Sequence, residues 1–361
     1  MTGSTVNKTT AIDTIGKLRL ALQCAIEVEL ATIPPYLCAL YSIPDGRNQA
    51  ASLVIRSVAM EEMLHLIQAA NLLNAIGGTP HIRPAPSLLR YPGRLPYCKR
   101  TFEVRLERFS PEGIAIFMEI ELPENSKGLK AAPARAAKLD AHVKEIFREL
   151  GREYDTIGQF YEEIAESFSL LAKHRNIFTG DWSLQVGGEH YYSGAGKLYQ
   201  VFDHVGAQKA IHEIMHQGEG ARDRWSDGQK DPYTGNHIPG HYYRFQEILA
   251  GRFYREGDKP DKPGGPPLHV DWNAVYPMRP DPSTESLRGL PEVQRKSADF
   301  DAAYTRLLSL LDSCVKGHAG ELMQSVGLML EMKQRAIELM RIPIDADGTT
   351  AGPAFEWQSR A

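Results

Sequence analysis

The feature of this sequence that most constrains its fold is a pair of ionisable residues inside an apolar helical stripe. Over about residues 49–76, apolar residues recur at helical spacing, and Glu62 and His65 fall in the same stripe, between Val58 and Leu66. Residues three apart on a helix are neighbours, so this carboxylate and this imidazole lie side by side. Burying such groups is costly unless a metal ion or a counter-charge neutralises them. Glu-x-x-His on a core face is also how di-iron helical bundles present ligands, so the pattern predicts a helical bundle around a metal site.

The first predicted helix, at about residues 12–40, also carries a carboxylate in its apolar stripe. Glu29 follows Leu22 by seven residues, so the two side chains share one face of the helix. The helical pattern stops at Pro34-Pro35, because proline has no amide hydrogen to donate within a helix. This helix and the next are expected to form an antiparallel hairpin.

A third helix is predicted at about residues 156–172, where two adjacent glutamates compete for the inward position. The helical neighbours of Glu162 are small residues that leave room for a metal ion, whereas those of Glu163 are polar. We therefore expect Glu162 to bind the metal and Glu163 to be solvated.

A fourth helix is predicted at about residues 205–223. It contains a second Glu-x-x-His pair, Glu213 and His216, but at about 100° per residue His216 falls away from the apolar arc. Glu219 lies at the edge of that arc, as does His212, and is the better carboxylate ligand. The residues alone leave open which imidazole accompanies Glu219.

The remainder of the chain is expected to elaborate this bundle within one domain, residues 1–361. An insertion at about 80–125 contains alternating residues near 102–106 that predict a short strand. The segment at about 232–291 holds 10 of the 23 prolines, and a loop of that length is usually functional, so we expect it to cover a substrate pocket. A last helical pair is predicted at about 300–342.

Composition excludes several classes of protein. The 41 basic and 45 acidic residues are well mixed, which argues against a nucleic-acid partner, and no run approaches the roughly 20 apolar residues of a membrane helix. The first ten residues predict no targeting peptide, so a cytoplasmic protein with a small-molecule partner is expected. The four cysteines lack Cys-x-x-Cys spacing, so carboxylates and imidazoles must bind any metal. Phosphate-loop, dinucleotide and serine-hydrolase motifs are absent, and no stripe indicates an oligomeric state.

Several longer motifs resemble one family. They are AIEVELATIPPYL at 25–37, EEMLHL at 61–66, QGEG at 217–220, HYYRF at 241–245 and AGPAFE at 351–356. Together they resemble the ferritin-like family that includes the iminophenylpyruvate dimer synthases of violacein- and rebeccamycin-type pathways. The likeness extends over most of the chain.

The resemblance implies a mainly α, ferritin-like four-helix bundle with a dinuclear metal centre. The ligands implied by position are Glu29 and Glu162 as terminal carboxylates, Glu62 and Glu219 as bridging carboxylates, and His65 and His241 as imidazoles. His241 departs from the general pattern, because it follows Glu219 by 22 positions rather than three. His212 and His216 remain the alternatives to it.

Two transition-metal ions are therefore expected, with iron first and copper or manganese as alternatives, since imidazole suits iron and copper and carboxylate suits manganese. The predicted function is an oxidoreductase that uses dioxygen or peroxide to oxidise or couple a small aromatic or amino-acid-derived metabolite. A metal-storage protein is the alternative, although the two long insertions would obstruct the hollow shell that storage requires. A bundle whose carboxylates pair with basic residues instead of metal is a weaker alternative.

Overall fold

The computed structural model describes residues 10–83, 90–100, 102–123, 141–191, 196–219, 226, 237–287 and 289–358, with the backbone alone at Glu219. These residues are mainly helical and form no sheet. The α-helices are α1 (Ile15–Tyr41), α2 (Gln49–Ala75), α3 (Pro111–Ile120), α4 (Ala141–Leu150), α5 (Ile157–Ala172), α6 (His204–Glu219), α7 (His241–Ala250), α8 (Pro291–Cys314) and α9 (Gln324–Met340). Among the described helices, not one is both long and apolar enough to cross a membrane.

The predicted four-helix bundle is confirmed and consists of α1, α2, α5 and α6. Helix α1 packs against α2 and α5, and α6 packs against α5 and α2. Side-chain caps begin two of the helices: Thr14 accepts a hydrogen bond from the Lys17 amide, and Thr156 accepts one from the Gln159 amide. The predicted end of the fourth helix, beyond Glu219, lies outside the described residues.

The two prolines of α1 do not end the helix. The helix reaches the end of the predicted range, about residue 40, and only the expectation that the helical pattern stops at Pro34-Pro35 was wrong. Helix α1 continues through Pro34 and Pro35 to Tyr41. A proline at position 35 cannot donate to the carbonyl of Ala31, four residues earlier. The Tyr91 hydroxyl donates to that carbonyl instead, at 2.8 Å. A side chain from the insertion thus replaces the missing helix hydrogen bond.

The insertion contains no strand among its described residues, which corrects the strand predicted near residues 102–106. Val104 forms only an isolated antiparallel bridge with Gly93, through two backbone hydrogen bonds of 2.9 and 2.6 Å. The apolar run that follows is helix α3, which begins with Ser110 as its cap and Pro111 in its first turn. Helix α3 packs against α7.

Helix α7 lies in the proline-rich segment and ends at Gly251, whose φ of 65° is the left-handed conformation that glycine adopts without strain. The described remainder of that segment is largely irregular, as predicted. The C-terminal pair, α8 and α9, is also confirmed, but α8 begins at Pro291, nine residues before the predicted start.

Glu163 is buried, so the prediction that it is solvated was wrong. Only 2% of Glu163 is exposed, and its carboxylate accepts hydrogen bonds from the Thr10 hydroxyl at 2.7 Å and the Ala11 amide at 2.5 Å. Arg152 forms an ion pair with the same carboxylate at 2.6 Å. Glu163 therefore fixes the segment before α1 and the segment before α5 to the bundle.

We expect the pH dependence of stability to report on Asp301, which is buried on α8. Its Oδ1 accepts a hydrogen bond from the Glu356 amide at 2.9 Å, while Oδ2 has no hydrogen-bond partner in the described part of the chain. Burial raises the pKa of Asp301 to about 8. The folded protein then binds one more proton than the unfolded chain between about pH 4 and pH 8, so stability falls as pH rises through this range.

Asp301→Asn removes this titration and keeps an oxygen acceptor for Glu356. We expect the variant to be more stable than the wild type at pH 8.5, by about 1–3 kcal/mol, and to show a flatter pH profile. Urea unfolding at pH 5 and pH 8.5 measures both. Asp299→Asn, at a half-exposed position of the same helix, is the control. Parallel pH profiles for wild type and Asp301→Asn would contradict the assignment.

Candidate metal centre

Two groups of buried side chains share the carboxylate of Glu62. The first group is Glu29, Glu62 and His65, and the second is Glu62, Glu121 and His241. Within each group, one potential ligand atom from every residue lies within 4.8 Å of the others. At most 7% of any of these residues is exposed. Glu62 therefore lies between two potential ion positions.

The two groups come from different parts of the fold. Glu29 lies on α1, while Glu62 and His65 lie one turn apart on α2. Glu121 is the residue directly after α3, and His241 is the first residue of α7. The second group is therefore completed by helices outside the four-helix bundle, and these two helices pack against each other.

Both histidines direct Nδ1 towards the same oxygen of Glu62. The His65 Nδ1 lies 3.5 Å from Glu62 Oε1, and the His241 Nδ1 lies 2.9 Å from it. The His65 Nδ1 is also 3.8 Å from Glu29 Oε2, and the His241 Nδ1 is 3.4 Å from Glu121 Oε2. The two rings are stacked, with their centroids 5.6 Å apart.

The opposite ring nitrogens fix the tautomer of each histidine. The His65 Nε2 lies 2.8 Å from the Gln217 side-chain oxygen, and the His241 Nε2 lies 2.8 Å from Glu61 Oε2. Amide and carboxylate oxygens only accept, so both Nε2 atoms donate, and a neutral ring then has its lone pair on Nδ1. The buried His241 Nδ1 has no hydrogen-bond partner among the described residues. A cation between this lone pair and the carboxylates would satisfy both, so the donor set fits a pair of metal ions.

Each carboxylate of the two groups has one oxygen held by a hydroxyl group and the other facing a histidine. Tyr161 donates to Glu29 Oε1 at 2.5 Å, and Tyr36 donates to Glu121 Oε1 at 2.5 Å. Thr32 donates to Glu62 Oε2 at 3.0 Å. These hydrogen bonds orient the carboxylates and leave the second oxygen of each directed into the centre.

Glu61 and Arg244 form a buried pair behind His241. The Arg244 guanidinium donates to Glu61 Oε1 at 2.9 Å and to the Pro239 carbonyl at 2.7 Å. Burial would raise the pKa of Glu61, but Arg244 and His241 together lower it below its ordinary value. Glu61 therefore stays ionised and keeps His241 in its tautomer.

The buried carboxylates of the centre require compensating positive charge. Burial and the neighbouring Glu62 raise the pKa of Glu29 to about 8. Burial opposes charging His65, yet the negative charges of the nearby Glu29 and Glu62 carboxylates raise the pKa of His65 to about 10. Protons or metal ions must therefore accompany these carboxylates in the interior.

A small cavity of about 20 Å³ adjoins the centre, close to the space that one water molecule needs. The residues around the ligands are mostly apolar and come from α5, α6 and the end of α3; they include Ile157, Gly158, Ile214 and Leu122. The cavity therefore leaves room beside the candidate ligands for a reactant about the size of a water molecule, within mostly apolar walls.

The structure brings together four of the six predicted ligands: Glu29, Glu62, His65 and His241. Glu162 is half-buried and belongs to neither group. On the same helix, Gly158 and Tyr161 line the cavity beside the centre instead.

The described part of the fourth helix contacts the centre through Gln217. The rings of His212 and His216 stack at 3.6 Å between centroids, and neither residue belongs to the two groups. Gln217 of the same helix orients His65. The side chain of Glu219, the predicted bridging carboxylate, lies outside the described residues.

Glu121 is the ligand candidate that sequence reasoning missed. It lies in the insertion, for which the sequence predicted only a short strand. Ser110 followed by Pro111 is a helix-start signal, and a helix from that point places Glu121 at its end, beside Leu122 and before Pro123. A carboxylate in so apolar a stretch was the available signal.

Comparison with known proteins agrees with this architecture. A ferritin-like family profile matches residues 22–250, which is more than half of the chain. The chain is 25% identical to the dichlorochromopyrrolate synthase of Lentzea aerocolonigenes over 96% of its own length, but it spans only 36% of that enzyme. The crystal structure of a ferritin-like protein from Caulobacter vibrioides has the same fold, with a TM-score of 0.61, 20% identity, and coverage of 96% of this chain and 99% of that one. This chain belongs to the ferritin-like family.

Proposed function

We propose that this protein is a metal-dependent oxidoreductase with a dinuclear centre, occupied by iron, in which Glu29, Glu62, His65, Glu121 and His241 bind the ions. The observation that carries the proposal is the convergence of two imidazole Nδ1 atoms on one shared carboxylate oxygen, each ring fixed in the required tautomer by a partner on its other nitrogen. When bound, the ions supply redox chemistry and open coordination positions for dioxygen or peroxide. Glu219 is retained as a further candidate ligand from the family resemblance.

The protein residues orient the ligands and control access. Tyr161, Tyr36 and Thr32 hold the outer oxygens of the three carboxylates, so the inner oxygens keep their positions without a bound substrate. Apolar side chains such as Ile157 and Ile214 exclude water from the approach to the centre. The proline-rich segment supplies His241, and we propose that it also covers the substrate pocket.

The curated relative, a synthase that aligns with nearly the whole of this chain, supports a proposal about the substrate class. We propose that the chain oxidises or oxidatively couples a small aromatic or amino-acid-derived molecule in a biosynthetic pathway. The walls beside the centre are mostly apolar, which suits an aromatic group better than a charged one.

Substrate-dependent oxygen uptake tests this function. Protein loaded with iron, manganese or copper is supplied with aromatic 2-oxo acids and their imines in an oxygen-electrode cell. We expect one metal-loaded form of the wild type to consume oxygen in the presence of substrate, and we expect Glu62→Ala to consume none. Uptake of many more than two iron atoms per chain, without any organic substrate, would instead favour the storage function.

The assignment of Glu121 is tested against that of Glu162. We expect Glu121→Ala to lose about one of two bound metal ions per chain and Glu162→Ala to keep both, because only Glu121 lies beside His241 and Glu62. Elemental analysis after loading and desalting measures the content. Loss of metal from Glu162→Ala but not from Glu121→Ala would restore the ligand set implied by the family resemblance.

A further inference from the structure

A second, much larger cavity lies between the α1–α2 hairpin and the α8–α9 hairpin. Its volume is about 740 Å³, within the range of roughly 300–1,000 Å³ that small-molecule sites occupy. It is lined along α1 from Leu30 to Tyr41, a length of about 16 Å at 1.5 Å per residue. The five candidate metal ligands are absent from its walls. The cavity is therefore elongated and separate from the metal centre.

Methionine is concentrated in the walls of this cavity. Five of the ten methionines of the chain line it: Met60, Met63, Met323, Met329 and Met332. Unbranched thioether side chains adapt to ligands of different shape and are used at binding surfaces that accept flexible partners. Leucines, among them Leu37, Leu307 and Leu311, form most of the other apolar wall. Such walls suit a flexible hydrocarbon chain.

The mouth of the cavity combines exposed apolar residues with unpaired positive charge. Leu53, Met323 and Leu330 are each more than half exposed there. Arg47, in the turn before α2, and Arg56, on α2, also line the cavity and are exposed. Neither guanidinium has an ion-pair partner within 4.0 Å in the residues that the structure describes, whereas Lys333 pairs with Asp45 at 3.1 Å.

A buried polar group in the wall of the cavity has no hydrogen-bond partner among the described residues. Tyr304 of α8 lines the wall and is only 4% exposed. Its hydroxyl has no hydrogen-bond partner among the described residues. Buried hydroxyl groups are normally paired, so this donor is available to a ligand in the cavity.

We propose that this cavity binds a long-chain carboxylate, with the hydrocarbon chain between the two helical hairpins and the carboxylate at Arg47 and Arg56. Arginine presents a planar fork that matches a carboxylate, and the mouth places two such groups beside the apolar interior. An oxygen substituent on the chain would pair with the Tyr304 hydroxyl. This site is independent of the oxidoreductase proposal, because it shares no residue with the metal centre.

Isothermal titration calorimetry of the full chain with dodecanoate tests the proposal. We expect saturable binding of one dodecanoate per chain and at least tenfold weaker binding of dodecanol, which lacks the charge. Arg47→Ala/Arg56→Ala should weaken dodecanoate binding at least tenfold and leave dodecanol binding unchanged. Met329→Trp, which narrows the cavity, should weaken binding of both. Arg295→Ala, at an exposed position of α8 outside the cavity, is the matched control and should bind as the wild type does.

Metal content separates a specific effect from misfolding, since each of these variants should bind the same number of metal ions as the wild type. Equal affinity for dodecanol and dodecanoate, or unchanged binding by the double arginine variant, would overturn the carboxylate assignment. Two results together would show instead that a second copy of the chain covers this face: no binding of dodecanoate, and a wild-type dimer in sedimentation analysis that the Leu330→Glu substitution dissociates.

Discussion

Glu62→Ala is expected to remove both metal ions from the protein, because its carboxylate belongs to both ligand groups. The wild type should bind about two equivalents per chain after loading, and the variant none. Glu29→Ala, which affects only the group of Glu29 and His65, should keep about one equivalent. Inductively coupled plasma mass spectrometry on desalted protein measures the difference.

Glu166→Ala is the control for this experiment, since Glu166 is exposed on α5 and belongs to neither group. Glu62→Gln provides a variant of nearly unchanged shape in case the alanine variant folds poorly. It keeps an oxygen for the Thr32 hydroxyl but loses the charge, so it should also bind far less metal. Retention of a full equivalent by both Glu62 variants would show that this carboxylate is not shared.

Arg244→Met is expected to destabilise the metal-free protein by about 3 kcal/mol, because it leaves Glu61 in the interior without its guanidinium partner. The same change removes the ion pair that keeps Glu61 ionised behind His241, so metal affinity should fall about 10- to 100-fold. Urea unfolding of metal-free protein and competition with a chelator measure the two effects.

A double variant separates the loss of the pair from the loss of packing. Glu61→Gln/Arg244→Met removes both charges and should recover much of the stability, while metal affinity stays low because His241 no longer donates to a carboxylate. Arg252→Met, just beyond the end of α7, removes an exposed arginine and should change neither quantity appreciably. If Arg244→Met behaved like Arg252→Met, the buried pair would have no role in holding His241.

The first ligand group was predictable because it depends on local periodicity. Glu29, Glu62 and His65 lie within long apolar stripes on two consecutive helices, and helical spacing alone indicates that they share the core. Neighbouring residues could not decide between Glu162 and Glu163, however. Glu163 is buried by Thr10 and Arg152, which are distant from the pattern of the helix itself.

The second ligand group, and the continuation of α1 through its prolines, depend on contacts between segments that are distant in the sequence. Glu121 becomes a candidate ligand only because α3 packs against α7, which brings it to His241. Helix α1 continues through its two prolines, and Tyr91 donates to the carbonyl of Ala31, which is 60 residues earlier in the sequence. Local propensity correctly identifies a helix breaker there, and a tertiary hydrogen bond overrides it.

The division of the centre between the bundle and two added helices has a thermodynamic consequence. The three candidate ligands of the first group, Glu29, Glu62 and His65, all lie on the α1–α2 hairpin, whereas the second group requires α3 and α7 to be docked. If two ions bind as proposed, binding of the second is linked to the local unfolding equilibrium of those two segments, and its free energy includes the cost of keeping them in place. The two ions should load in order, with the bundle position filled first and the second ion locking the insertion and the proline-rich segment onto the bundle.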